Sequence, residues 1–381
     1  MEICNLAQCT GCQVCKWKCP KGAISMKENE YGVMLPEIDK TICVECGICR
    51  QVCQVNNMES CNIPQKCYAA WTKNPDDQEN CSSGGIATGI SREIIKRGGV
   101  VFGAAFTKDF QLVITETCDI DNLYKMRGSK YVQCDVSDSY LKVEMHLKSD
   151  REVLFIGTPC QIMGLRKFLG KDYDKLYLVD IVCHGVPPYK YLVEHITNLL
   201  PEHKVTHVTF RGKDNYKLVA YNNEQVLYTK ERYKDIYYAA FYEGITFREN
   251  CYSCNYAHEK RGSDITVGDF WGINRSTMKN VYKGRISEIL VNTAKGEKLF
   301  KMVEGNFIYE ERSVREAVEG NTQLRHPTLV NEMRKQFIIE YPELGFEEAL
   351  RKTRLEKIMV KKNNSLFNKV KRRCKKLFVA R

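Results

Sequence analysis

No stretch of this 381-residue chain approaches the ~18 consecutive apolar residues that a membrane-spanning helix requires. Its first residues, Met1-Glu2-Ile3-Cys4, carry neither the basic region nor the apolar run of a secretory leader, so the cytoplasm is the expected compartment. The pattern G-x-x-x-x-G-K-S/T is missing, as is G-x-G-x-x-G after a strand; neither a P-loop nor a standard Rossmann site is expected. No helix-turn-helix or RNA-binding signature accompanies the basic residues, which argues against nucleic acid as a partner and against a redox sensor that binds it.

Net charge is close to zero over most of the chain and concentrated at one end. The formal net charge is +11, yet residues 351–381 alone hold thirteen Lys or Arg against one acid, Glu356, so the rest is close to neutral. From Ser365 onward Leu366, Phe367, Val370, Cys374, Leu377 and Phe378 recur at helical spacing, with Lys369, Lys371, Arg372, Arg373, Lys375 and Lys376 between them. A helix of that kind would lay an apolar stripe into acyl chains and its cations on anionic headgroups, holding the protein peripherally on the inner face of a membrane. The alternative is a disordered basic tail.

Cysteine is abundant, at 19 residues, and its spacing carries most of the information. Cys9, Cys12, Cys15 and Cys19 follow C-x2-C-x2-C-x3-C, closed by Pro20, and the spacing recurs at Cys43, Cys46, Cys49 and Cys53. Three thiolates on a tight loop wrap one face of an iron–sulfur cube, while the fourth, on the outgoing helix, reaches the neighbouring cube. That rule assigns Cys9, Cys12, Cys15 and Cys53 to one 4Fe–4S cluster and Cys43, Cys46, Cys49 and Cys19 to another. A zinc site prefers separated C-x2-C pairs or Cys/His mixtures, and a disulfide framework belongs in an oxidising compartment. Between the runs, Ala23 to Met26 and Val33 to Leu35 read as strands around a turn at Asn29 to Gly32, ending before Pro36. Residues 1–60 thus resemble a bacterial two-cluster ferredoxin, with one departure: Gln54 stands where that family usually has a second proline.

Beyond a polar linker, Asn56 to Pro64, apolar strands alternate with amphipathic helices, which predicts mixed α/β (α+β) architecture around a largely covered sheet. Strands are expected at Lys66–Trp71, Gly99–Phe106, Gln111–Thr117, Glu152–Ile156, Leu176–Val182, Val205–Phe210, Ile265–Val267 and Glu288–Asn292. Helices are expected at Ile86–Arg97, Ser139–Leu147, Gln161–Phe168, Tyr189–Leu200 and Arg232–Tyr242, with an inserted hairpin near Tyr216–Tyr228. Ser82-Ser83-Gly84-Gly85 stands before the first of these helices, where free N–H groups and a glycine backbone can receive a phosphate; a plain capped turn is the other reading. Cys160 and Cys183 each follow an apolar strand, and Cys251 and Cys254 form a C-x2-C pair. Parallel strands would bring the first two to one sheet edge. The four could hold a further 4Fe–4S cluster, or be buried thiols beside a zinc-binding or redox-active pair.

Ser83 to Thr88, Gly128-Ser129-Lys130-Tyr131, Gly157 to Arg166, Cys183-His184-Gly185 and Cys251 to Gly272 occur in an order that resembles the family of beta subunits of coenzyme F420-reducing hydrogenases and dehydrogenases. Its relatives include F420-dependent sulfite reductases and the plant 7-hydroxymethyl chlorophyll a reductase. The resemblance spans most of residues 66–320. It implies an α/β flavin- and cluster-binding domain after the ferredoxin-like module. Cys160, Cys183, Cys251 and Cys254 would then ligate a third 4Fe–4S cluster, with FAD beside it against Ser83, Gly84, Gly85 and the Gly128–Tyr131 segment. By charge and motif position Lys130 and Arg166 are expected to contact the flavin or an anionic substrate. His184 would tune the cluster, Asp269 and Trp271 would shape the pocket floor, and Cys81 adjoins the loop. The division expected is 1–60 for the two-cluster module, 61–150 for the flavin-loop region, 151–320 for the third-cluster region and 321–381 for a helical, basic tail.

The activity implied is that of an iron–sulfur flavoprotein oxidoreductase relaying electrons between a two-electron small-molecule substrate, of F420 type or another hydride carrier, FAD, the clusters and a redox partner protein or small electron carrier. The alternative is an electron-transfer subunit or ferredoxin-dependent reductase serving a partner enzyme without F420 chemistry.

Overall fold

The computed structural model describes residues 2–211 and 216–365. In the N-terminal module each cysteine triplet runs into a single helical turn, Val14–Trp17 or Ile48–Gln51, entered through a left-handed residue, Gln13 (φ 62°) or Gly47 (φ 76°). Between them β1 (Ile24–Glu28) and β2 (Met34–Ile38) form an antiparallel ribbon. Asn29 makes its turn by accepting the amides of Tyr31 and Val33 at 3.1 and 2.9 Å. Pro36, expected to stop the second strand, lies inside it opposite Met26. A two-stranded ribbon has edges only, and an edge tolerates a residue without an N–H.

The apolar runs become β3 (Lys66–Thr72), β4 (Val100–Phe106), β5 (Leu112–Thr117), β6 (Val153–Gly157) and β7 (Leu176–Ile181). The short β8 (His207–Thr209), β9 (Lys217–Asn222) and β10 (Gln225–Glu231) follow, then β11 (Ile265–Asp269), β12 (Ser287–Val291) and β13 (Phe307–Arg312). Eight strands make one mixed sheet in the order β13-β3-β12-β11-β7-β6-β4-β5. β4, β6, β7 and β11 are parallel, flanked on both sides by antiparallel strands.

Alternation along the strands serves both faces. Val101, Leu154 and Val179 pack with Ile86, Ile90 and Ile94 of helix Ile86–Lys96 and with Leu299, Phe300 and Val303 of helix Ala294–Val303. Their neighbours Phe102, Phe155 and Leu178 pack the other way, against Tyr140 and Val143 of Ser139–Lys148 and Ile162 and Leu165 of Pro159–Leu169. Segments 61–150 and 151–320 are not separate bodies, because β3 of the first lies between β12 and β13 of the second.

β8, β9 and β10 form a small antiparallel sheet beside a second core with helices Tyr189–Leu199, Ile236–Tyr242 and Met333–Lys352. The helix expected from Arg232 begins only at Ile236, since Asp235 caps it by accepting the Tyr238 amide at 2.8 Å. Met333–Lys352 bends at Gly345 (φ 73°) and buries Phe337, Tyr341, Phe346 and Leu350. Much of the segment expected as a basic tail is therefore core, and the amphipathic pattern from Leu366 lies outside the described residues. The expected linker is pinned as well: Asn62 and Arg261 exchange backbone hydrogen bonds of 2.8 Å. Among the described residues no helix is long and apolar enough to cross a membrane.

The second core is tied by ion pairs across its helices. His195 meets Asp235 at 2.9 Å and Glu347 at 2.8 Å, and the Tyr228 hydroxyl donates to Asp235 at 2.9 Å. Burial disfavours the imidazolium, but Asp235 and Glu347 outweigh it and hold the His195 pKa up at about 9 against an ordinary 6.5. A histidine whose pKa rises on folding stabilises fully below the unfolded value and loses that contribution as pH climbs through the folded one. A gap of that size corresponds to about 3 kcal/mol. His195→Gln should therefore lower the apparent melting temperature most near pH 6, and the difference from wild type should shrink toward pH 9.5 in pH-resolved thermal denaturation.

Candidate cluster and cofactor site

All eighteen described cysteines are free thiols. Among the described residues no three His, Cys, Asp or Glu side chains gather as a single-ion site would require. The N-terminal thiols instead surround hollows, the arrangement a four-iron cube needs, since it takes its thiolates from all sides. Cys9, Cys12, Cys15 and Cys53 line one hollow of about 20 Å3, and Cys19, Cys43, Cys46 and Cys49 line another of the same size. Each hollow thus draws three cysteines from one run and one from the other. Cys4, which spacing left without a role, also lines the first hollow, and its neighbouring thiol holds the pKa values of Cys9 and Cys53 down at about 7 and about 6.

The parallel sheet brings the dispersed cysteines together. β6 and β7 are adjacent and parallel, with Gly157 opposite Asp180, so the residues following them emerge at one edge. Cys160 opens helix Pro159–Leu169 two residues after Thr158, whose amide bonds to Gln161 Oε1 at 2.9 Å. Cys183 follows β7, and Cys251 rides the turn Glu249–Tyr252. The four thiols act on one another electrostatically. Burial first, and then the neighbouring thiols, push Cys160 up to about 12, Cys251 up to about 11 and Cys183 well above the usual value. Burial also raises Cys254. Sulfurs that resist ionising when alone become thiolates when a metal replaces their protons.

One cavity of about 500 Å3 adjoins this set and is lined by Cys12, Cys160 and Cys183 together with Ser83, Gly85, Lys130 and Tyr131. That volume lies within the ~300–1,000 Å3 common for cofactor pockets. Helix Ile86–Lys96 opens onto it without a side-chain cap, with Ile86, Ala87 and Thr88 on the wall, the geometry that receives an anion. Gly84 does not line it: a Cβ there would come within 2.5 Å of the Ala70 carbonyl, and its amide bonds to Ser287 Oγ at 2.9 Å. Its expected ligand contact is corrected to a packing requirement against β3 and β12.

Lys130 reaches the wall but spends its ammonium on the carbonyls of Lys125, Met126 and Arg127 at 3.3, 2.9 and 2.8 Å, and burial lowers its pKa to about 8. Tyr131 stacks on Phe241 with ring centres 4.3 Å apart. Arg166 is a second correction. Absent from the cavity lining, it bonds to Glu59 at 3.1 Å, because its helix turns that face toward the chain leaving the N-terminal module. His184 and Trp271 line the cavity, and burial lowers the His184 pKa. Asp269 lines it too and takes both ends of Arg211 at 2.5 and 3.3 Å. Cys81 meets Thr88 Oγ1 at 3.3 Å on the same wall.

Two residues that join the modules escaped the sequence reading. Arg248 is 2 % exposed and donates to the Thr10 and Cys9 carbonyls at 3.1 and 2.8 Å, while standing three residues before Cys251. A Cβ on Gly11 would lie 2.5 Å from its Nη1. Gln54, also 2 % exposed, donates to Thr10 Oγ1 at 3.1 Å and the Cys160 carbonyl at 3.0 Å, and accepts from the Tyr256 hydroxyl at 2.5 Å. The missing proline was the signal: an amide that bridges two cysteine loops occupies its place. Cys12 itself packs against helix Pro159–Leu169 at Gly164, where a Cβ would come within 2.9 Å of the Cys12 Cβ.

Two family models match segments of the chain. Residues 150–316 match the family model for the C terminus of the beta subunit of coenzyme F420 hydrogenase/dehydrogenase, and residues 8–57 match a 4Fe-4S dicluster domain. A coenzyme F420-dependent sulfite reductase of Methanocaldococcus jannaschii is 26% identical over 205 residues, covering 52% of this chain and 31% of that protein. The F component of the F(420)H(2) dehydrogenase of Methanosarcina mazei is 22% identical over 191 residues, covering 47% and 53%. The chain thus spans about a third to a half of the lengths of these relatives. A chain of the F420-reducing nickel–iron hydrogenase complex of Methanosarcina barkeri superposes with a TM-score of 0.45 at 16% identity, covering 73% of this chain and 94% of its own. The N-terminal module thus matches a 4Fe-4S dicluster domain, and the segment carrying Cys160, Cys183, Cys251 and Cys254 lies within the match to the C terminus of the F420 hydrogenase/dehydrogenase beta subunit.

Proposed function

We propose that this chain, a dicluster domain joined to a domain of the beta-subunit type, is an oxidoreductase that exchanges electrons between a two-electron small-molecule substrate and a one-electron protein carrier. The observation that carries the reading is the single cavity of about 500 Å3 lined at once by Cys12, Cys160, Cys183 and the uncapped start of helix Ile86–Lys96. Cys9, Cys12, Cys15 and Cys53, and Cys19, Cys43, Cys46 and Cys49, would hold two 4Fe–4S clusters. Cys160, Cys183, Cys251 and Cys254 would hold a third, and Ser83, Gly85 and the amides of Ile86 to Thr88 would hold the phosphates of FAD. When bound, the flavin and clusters supply the passage between two-electron and one-electron chemistry.

The chain's own share is orientation and shielding. Gly164, Gln54 and Arg248 keep the Cys9–Cys12 loop against the Cys160 loop. The Tyr131–Phe241 stack gives the cavity an apolar wall. Because the matched relatives are named for F420, that coenzyme is the first substrate to screen, beside NAD(P)H and reduced ferredoxin. Ala87→Glu tests the flavin site by setting a carboxylate where the helix start would receive a phosphate. The variant should fold, keep its iron and lose more than tenfold in flavin occupancy. Equal flavin content in variant and wild type would move the flavin elsewhere.

A second reading has its own observation. Val44 is 57 % and Ile42 47 % exposed beside the exposed Cys46, so the hollow of Cys19, Cys43, Cys46 and Cys49 lies near the surface. That suits a subunit handing electrons to a partner protein, and turnover by the isolated chain separates the two readings. The peripheral membrane contact rests on residues beyond Ser365, so a truncation testing it must start there to spare the core.

A further inference from the structure

The cavity's arginines are not equivalent. Arg127 pairs with Asp76 and Asp77, the latter at 2.8 Å, and Arg211 pairs with Asp269. Arg232 lines the same cavity, and among the described residues it has no carboxylate partner and no side-chain hydrogen bond. Its guanidinium lies over Tyr216 at 4.8 Å and Tyr242 at 4.7 Å from the ring centres, and also over Tyr233 at 5.3 Å. Arg211 stands over Tyr216 as well, at 4.8 Å. Its buried Nε has no partner, although the residue is only 7 % exposed. Two guanidiniums therefore share one tyrosine ring on the cavity wall, one with an unused donor and the other with none of its donors engaged by a described residue. Stacking on tyrosine orients a guanidinium but leaves its in-plane N–H groups available, and these match the two oxygens of an oxyanion.

The inserted segment builds this wall. Tyr216 precedes β9, Arg232 follows β10, and the Arg232 amide donates to the Tyr216 carbonyl at 3.0 Å, closing the hairpin at its base. The β9–β10 hairpin thus fixes a cation on the cavity wall.

We propose that Arg232, aligned by Tyr216 and Tyr242 and assisted by Arg211, is an oxyanion subsite that takes a carboxylate or phosphate group of the two-electron substrate. This rests on the oxidoreductase reading above and adds a substrate class: a small molecule with an acidic substituent. The inserted hairpin is then a specificity element, and Arg232 binds the substrate without touching the transferred electrons.

The test uses the full-length, anaerobically purified holoprotein with two probes at constant ionic strength, inorganic phosphate and succinate, each against chloride, read by isothermal titration calorimetry. Wild type should bind one of the two anions, which identifies the group as phosphate or carboxylate. Arg232→Gln should weaken that binding at least tenfold while iron and flavin contents stay at wild-type levels. In the unmutated protein the preferred anion should slow phenylglyoxal labelling of Arg232, read by peptide mass mapping, at least fivefold, a result that does not depend on the variant folding. Binding of neither anion, equal binding by Arg232→Gln, or labelling indifferent to the anion each overturns the subsite. Loss of flavin together with anion binding in Arg232→Gln would assign the arginine to the cofactor and overturn it too. Flavin and iron analysis of wild type is independent of all these readouts, so absence of flavin would count against the oxidoreductase reading alone.

Discussion

Cys251→Ala should remove about four of about twelve iron atoms per chain, leaving the eight held by the N-terminal module. The expectation follows from three four-thiol sets, of which only that of Cys160, Cys183, Cys251 and Cys254 includes the changed residue. Anaerobic purification with iron and sulfide analysis, and EPR of the reduced protein, measure it. Wild-type protein that reconstitutes with only eight irons would remove the third cluster and give the C-x2-C pair another role. Cys46→Ala is the internal control, since its loss should fall on the N-terminal module. The contrast also bears on the path between modules, because Cys12, Cys160 and Cys183 share one cavity whereas the second N-terminal hollow does not touch it.

Arg248→Met should have the largest effect on how the two modules hold together. The side chain is buried, and its two donated hydrogen bonds end on the Thr10 and Cys9 carbonyls. Methionine fills similar space but leaves both acceptors without a donor, which costs about 3 kcal/mol for two charge-assisted bonds. Proteolysis within residues 56–64 should accelerate strongly as the N-terminal module loosens. The positive charge also lies close to Cys9, Cys160 and Cys251, whose thiols it makes easier to ionise. Removing it should make the reduction potentials of the adjoining clusters more negative, because a nearby cation favours the reduced, more negative form. Arg248→Lys should restore part of the potential but less of the protease resistance, since one ammonium cannot reproduce the planar fork. Unchanged potentials and unchanged proteolysis would reduce Arg248 to an ordinary buried cation.

Much of this molecule was readable residue by residue. The runs at Val153 and Leu176 became adjacent parallel strands because each is apolar on both faces, and such strands stay buried only at the centre of a sheet. The hairpin between the cysteine runs followed from Asn29 and Gly32. β13 and the helix Ala294–Val303 were not anticipated, and the long helix Met333–Lys352 was expected only as part of a helical, basic tail, not as core. Their apolar residues are interrupted by charges, as in Met333–Lys352, where Pro342 and Gly345 break the period that would have marked a helix. Gly84 looked like a ligand-facing glycine because loop and packing glycines are alike in sequence. Only the Ala70 carbonyl, folded against it, distinguishes them.

By itself the sequence determined the chemistry that depends on short spacing: two cysteine runs that wrap iron–sulfur cubes, a helix start preceded by glycines, and a basic end to the chain. Those properties are local, since a loop of three cysteines has the same reach whatever surrounds it. Only the tertiary structure decided which side chains join the modules and which arginine on the cavity wall has no carboxylate among the described residues. Arg248 meets Cys9 from 239 positions away, Gln54 meets Tyr256 from 202, and Asp269, which lines the same cavity as Arg232, is already committed to Arg211. Pairing of that kind depends on which surfaces the folded sheet brings together, and no sequence interval encodes it.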